Sequence, residues 1–220
     1  MSKRTVLAGL VFLLSCVAAS GQGVKLPSDG DEYSALVARA AAHDESVDFR
    51  SLRMAYLKSP AFRRASASEQ LDGLRRDMVA ATQATGGEST VRAKAEQILS
   101  IDFTDLQAQK LLRQACALLH DDACADLHHF IEFGLLRSIT QSGDGKTCAT
   151  GWEAVQIKEE YFLLAMMGTT FVGQALVSDG GHPCDAMSVK DENGAAQTYY
   201  FKIDLIMAAE AAALGLPGNK

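Results

Sequence analysis

Between Asp31 and Ile139 apolar residues recur at intervals of three and four, the spacing that lines up one face of an α-helix. In "SASEQLDGLRRDMVAAT" Leu71, Leu74, Met78 and Val79 share a face, and Ser66 and Glu69 stand ahead of it in capping-box spacing. Thr104 and Gln107 repeat that start signal before Ala108, Leu111, Leu112, Ala115 and Leu119. Asp122 is the expected N-cap of a helix that buries Ala123, Leu127, Phe130, Ile131, Gly134 and Leu135. The pattern predicts six helices, near 31–43, 48–58, 67–84, 89–100, 105–119 and 123–138. Short links between amphipathic helices make antiparallel hairpins. The last three loosely resemble a tetratricopeptide corner, although that repeat's Trp, Gly, Tyr and Pro positions are absent.

After "SGDGKTCATG" the period changes to that of strands. Trp152–Ile157, Phe171–Ser178, Asp185–Lys190 and Thr198–Ile203 are short, rich in Val, Ile, Tyr and Phe, and bounded by Gly, Asp and Asn. Asn193–Gly194 has the composition of a tight hairpin turn with two positive φ angles. "EEYFLLAMMG" predicts a short helix ending at Gly168, and the Ala-rich tail a last helix before Pro217. The expected class is α+β: a helical subdomain over 31–140 and a β-rich subdomain over 146–210 with a small, mostly antiparallel sheet, packed as one unit.

The opening "MSKRTVLAGLVFLLSCVAAS" places Lys3 and Arg4 before a short apolar run, the layout of an export signal. Two processing routes are open. Small residues at Ala18 and Ser20, or Val17 and Ala19, suit cleavage that leaves a soluble periplasmic chain after residue 20. "LLSC" instead resembles a lipobox, with a signal ending at residue 15 and lipid on Cys16. The whole chain carries −6, and loss of the two signal cations takes this to −8, which argues against nucleic acid and anionic membrane surfaces as partners. No later segment is apolar enough to span a membrane. Four cysteines remain in an exported chain, and an even number there favours disulfides. Three pairings are possible; proximity along the chain favours Cys116 with Cys124 and Cys148 with Cys184.

Three blocks carry a family resemblance: "VDFRSLRMAYLKSP", "LLRSITQSGDGKTCATGWEAVQIKEEYFLL" and "CDAMSVKDENGAAQTYYFKIDL". In order and spacing they resemble the bacterial exported family called domain of unknown function 4919, over about Asp31 to Leu205. The resemblance implies an exported bacterial domain and lends it no catalytic residue.

Four features could carry chemistry. "GDGKT" ends like a phosphate-binding loop but has Thr140 where that loop needs its first glycine, so it reads as a helix stop and turn. Glu159 and Glu160 are adjacent, hence about 100° apart on a helix, and cannot converge on one bond. Glutamates in a first helical turn serve the helix dipole, yet Glu160 with Tyr161 could line a cleft. His182 in "DGGHPCDA" would act as a general base if Asp185 oriented it; otherwise it is a loop residue set by Pro183 and Cys184. Cys116, His120, Cys124 and His128 stand four apart, as metal ligands on one helix would. "HDDA" breaks that stripe into two helices and makes a disulfide between the cysteines the expected outcome, with at least one of His128 and His129 in solvent. No metal and no cofactor are expected. The reading is a non-catalytic binding module for an envelope protein or small-molecule ligand. The competing reading is a hydrolytic or other small-molecule enzyme using Glu160, Tyr161, His182 and Asp185 in a cleft between the helical and β parts.

Overall fold

The computed structural model describes residues 23–213, so the expected export signal and Cys16 lie outside the described residues. Seven helices come first: α1 (Glu32–Ala41), α2 (Phe49–Lys58), α3 (Pro60–Ser66), α4 (Glu69–Thr82), α5 (Glu88–Ile101), α6 (Leu106–Leu118) and α7 (Asp122–Thr140). Then follow β1 (Trp152–Glu153), α8 (Ile157–Met166), β2 (Thr170–Asp179), β3 (His182–Lys190), β4 (Ala196–Lys202) and α9 (Asp204–Ala213). The sheet order is β1-β4-β3-β2, antiparallel except where β1 runs parallel to β4. The α+β class is thus the fold of the chain.

The starts of the helices are set by aspartates more than by the expected boxes. Asp48 accepts hydrogen bonds from the Arg50 and Ser51 amides, Asp105 from Ala108 and Asp121 from Cys124. Ser66 ends α3, a helix the apolar pattern did not predict; Ser59 caps it and Pro60 supplies its first residue, so the chain turns where a single loop was expected. Thr104 is buried against Asp102 and is no cap, while Asp122 is the first helical residue after Asp121. Val79 and Leu119 face solvent; Ala81 takes the buried place on α4.

Turn chemistry also differs from the expectation. The two consecutive positive φ angles occur at Gly180 (59°) and Gly181 (86°), which join β2 to β3 in a two-residue hairpin. Asn193 is not in the left-handed region. Asp191 instead organises a longer loop by accepting from the Asn193 and Ala195 amides, and only Gly194 needs positive φ. β1 shrinks from the expected Trp152–Ile157 to two residues, because Val155 turns its amide to Glu159 as α8 begins.

Two hydrophobic cores result. One is helical, formed by α4, α5 and α6 around Met78, Ile98, Leu99 and Leu112. The other packs α1, α2, α3 and α7 onto the sheet through Tyr33, Leu52, Leu135, Trp152, Met187 and Phe201. Charged groups tie the elements together. Arg53 on α2 grips Glu159 at 2.9 and 2.7 Å and also donates to the Glu153 carbonyl and Ser138, joining α2, α7, β1 and α8. Lys158 bridges Asp102 and Asp105, which Arg75 also contacts. Burial alone would raise the Asp105 carboxyl, but those two cations bring it down to about 2.

Candidate functional site

"GDGKT" has a structural occupation. The Thr150 carbonyl accepts from the Asp144 and Gly145 amides, and the Asp144 carboxylate takes the Thr150 hydroxyl. Gly145 (φ 68°) lies under Trp152, where a Cβ would stand 2.6 Å from the indole. The loop closes on itself and offers no cradle for phosphate.

Consecutive positions on α8 separate the two glutamates. Glu159 turns toward Arg53, while Glu160 turns under the sheet to Asp185. Glu160 has no exposed surface, and neither of its carboxylate oxygens has a hydrogen bond of ordinary geometry. Burial, then the Asp185 charge beside it, raises its pKa to about 9. Burial also raises Asp185, against the stabilising contacts of Gln174 and Glu160. A chain of contacts leads outward: Gln174 donates to Asp185 at 2.6 Å, and Tyr161 donates to Gln174 at 2.9 Å. Three of the four proposed catalytic residues therefore meet in one network. Gln174 completes it, and only the strand register could have revealed it: Leu176 pairs with Asp185, so Gln174 is a diagonal neighbour on the same sheet face.

His182 does not join them. Three residues from Asp185 along β3, it points to the opposite face of the sheet. It is exposed, and its Nδ1 stands 3.3 Å from the Asp204 carboxylate. The pairing of His182 with Asp185 is replaced by one with Asp204.

The cysteines pair as Cys116–Cys124 across the α6–α7 corner and Cys148–Cys184 between the Gly143–Gly151 loop and β3, each with Cα atoms 5.8 Å apart. His120 turns the corner with φ 59°. Cys116, Asp121 and Cys124 form a compact group, but the sulfurs are bonded to each other and Asp121 is engaged by Arg92. His128 is buried with Nδ1 2.6 Å from Gln109, and burial lowers it to about 4, whereas His129 is exposed.

An open concavity lies elsewhere. A cleft of about 890 Å³ separates residues 43–50 from the outer face of α7. His43 sits at φ 56° just past α1 and stacks on Phe130 at 4.4 Å; His129 lies against Phe133 at 4.4 Å. Gly134 allows this closeness, because a Cβ there would stand 2.3 Å from the Phe49 ring. Arg50 and Glu153 close one end with a two-pronged ion pair. Among the described residues, the side chains of Glu45, Asp126, Arg137 and Gln141 and both histidines line this cleft without a protein hydrogen-bond partner. The helical period placed Phe130 and Gly134 on a packed face but could not show that residues 43–50 cross over the adjacent one.

These features define an α+β domain with one sealed carboxyl pair and one open, ring-lined cleft. The sequence model of the family "Domain of unknown function (DUF4919)" matches residues 27–211, and the chain belongs to that family. No curated protein and no solved structure matches the chain.

Proposed function

We propose that this chain is an exported, non-catalytic binding module whose ligand occupies the cleft between residues 43–50 and α7. One observation carries the reading: six polar side chains with no partner within the protein converge on a cleft walled by the stacked His43–Phe130 pair and the tilted His129–Phe133 pair. Solvent-exposed polar groups not engaged by the protein, set beside flat apolar surface, are what a specific ligand site offers. The mixture of ring faces, both charge signs and an amide suits a ligand with flat apolar faces and a polar rim, as an amino-sugar oligosaccharide or short peptide of the cell envelope has. The two disulfides support an exported location, since such bonds persist in oxidising compartments.

The enzyme reading rests on the meeting of Glu160, Tyr161 and Asp185. Its support is weaker in two ways: His182 is outside the network, and neither acid lines the cleft. Amide-resolved NMR titration with amino-sugar oligosaccharides and short peptides tests the proposal. Shifts at Phe130–Arg137 and His43 are expected with one of these probes. Perturbation of Glu160 and Asp185 instead, or of no cleft residue by any probe, would remove the basis of the binding reading.

A further inference from the structure

β2 is the free edge of the sheet: it pairs with β3, and no strand of the described residues covers its other side. Natural edges are blunted by charge, proline or shortness. This one is ten residues long, contains no Pro, Lys or Arg, and carries its only charge at terminal Asp179. Leu176, on the same sheet face as buried Met187, is 65% exposed.

The hairpin fixes which backbone groups are free. In a two-residue turn the closing pair, here Asp179 with His182, exchanges both hydrogen bonds, and pairs then alternate along the ladder. Asp179, Val177 and Ala175 therefore direct their amides and carbonyls to β3. Ser178, Leu176 and Gln174 direct theirs outward. The irregularity at Val172 ends this regular stretch.

From this pattern we infer that β2 pairs antiparallel with β2 of a second copy of this chain, on a two-fold axis through Leu176. The outward set is symmetric about Leu176, so one register satisfies every free group of Gln174, Leu176 and Ser178 in both copies. That register places Leu176 against Leu176 of the second copy and Gln174 against Ser178. It sets no like charges of β2 opposite each other although the chain is acidic, because Asp179 falls opposite Gly173. The product is a continuous eight-stranded sheet, built from two sheets of four.

Sedimentation velocity from micromolar to millimolar chain tests this directly. Wild type is expected to pass from one to two chain masses, while Leu176→Lys and Leu176→Pro stay at one with unchanged far-UV circular dichroism; both changes face solvent in the monomer. Leu176→Cys tests the register, since hydrogen-bonded partners stand about 5.5 Å apart, within disulfide reach. It should cross-link to itself under oxidation, above the level of wild type and Val172→Cys. A wild type that remains a single chain throughout, a Leu176→Lys variant that still doubles, or a Leu176→Cys variant that does not cross-link in the dimer overturns the inference.

Discussion

Replacing Glu160 with Gln isolates the energetics of the buried acid pair. Glu160 has its ordinary carboxyl value of 4.5 in the unfolded chain and about 9 in the folded one. A group raised on folding stabilises fully below its unfolded value and loses that contribution as pH rises through the folded one, so the window here is pH 4.5 to 9. Each pH unit inside the window is worth at most about 1.4 kcal/mol, so the ceiling between pH 5 and pH 8 is about 4 kcal/mol. Local opening of α8 lets water reach the charge, and about 2–4 kcal/mol is the expected loss. Gln keeps the shape, can donate to Asp185 and does not ionise. Urea unfolding of both proteins across this range provides the assay, and the difference between the two curves cancels groups that titrate alike in both, His128 among them. The variant should approach wild type at pH 5 and exceed it by about 2–4 kcal/mol at pH 8, or very roughly 4–16 °C in Tm. Parallel stability profiles would refute the claim that Glu160 is held neutral under the sheet.

Other perturbations follow from the same contacts. Arg53→Met strands Glu159 in a dry site and should cost about 3–5 kcal/mol in chemical denaturation, whereas breaking the exposed Arg39–Asp44 pair should leave the unfolding curve unmoved. Gly134→Ala drives a methyl into Phe49, and a loss of about 1–3 kcal/mol with altered Phe49 and Phe130 ring resonances is expected. Replacing Cys148 and Cys184 together by Ser releases a link 36 residues apart in sequence and should lower stability by about 2–5 kcal/mol without changing helix content. His128, lowered to about 4 by burial, should be stabilising above pH 6.5 and lose that contribution as pH falls from 6.5 through 4; His128→Gln should flatten that limb of the stability curve.

What the sequence made legible was periodic. Leu71, Leu74, Met78, Ile131 and Leu135 recur at helical spacing, and the structure buries each of them. Short-range chemistry was legible by type more than by address. Two consecutive left-handed residues did form a hairpin turn, but at Gly180–Gly181, because the Asp191 carboxylate binds its own loop amides and makes the Asn193–Gly194 turn wider. Caps slipped by one or two residues: Ser68 stands at the start of α4 in place of Ser66, Asp105 caps α6 in place of Thr104, and Asp121 caps α7 in place of Asp122. Glu160 and Asp185 were grouped as candidates for one cleft on residue type alone; their meeting depends on α8 lying under β3, a contact between elements that no local pattern encodes. For the same reason neither the Arg53–Glu159 pair, 106 residues apart in the chain, nor the cleft beside α7, whose walls are more than seventy residues apart, shows in any local pattern.

The most direct test of the account compares two changes in one calorimetric titration, using whichever oligosaccharide or peptide perturbs the cleft. If the cleft is the ligand site, His129→Ala with Arg137→Ala should weaken binding about tenfold or more, each factor of ten being about 1.4 kcal/mol, while Glu160→Gln leaves it within about twofold. Binding that survives the cleft substitutions and is lost with Glu160→Gln would contradict the account and move function to the acid pair.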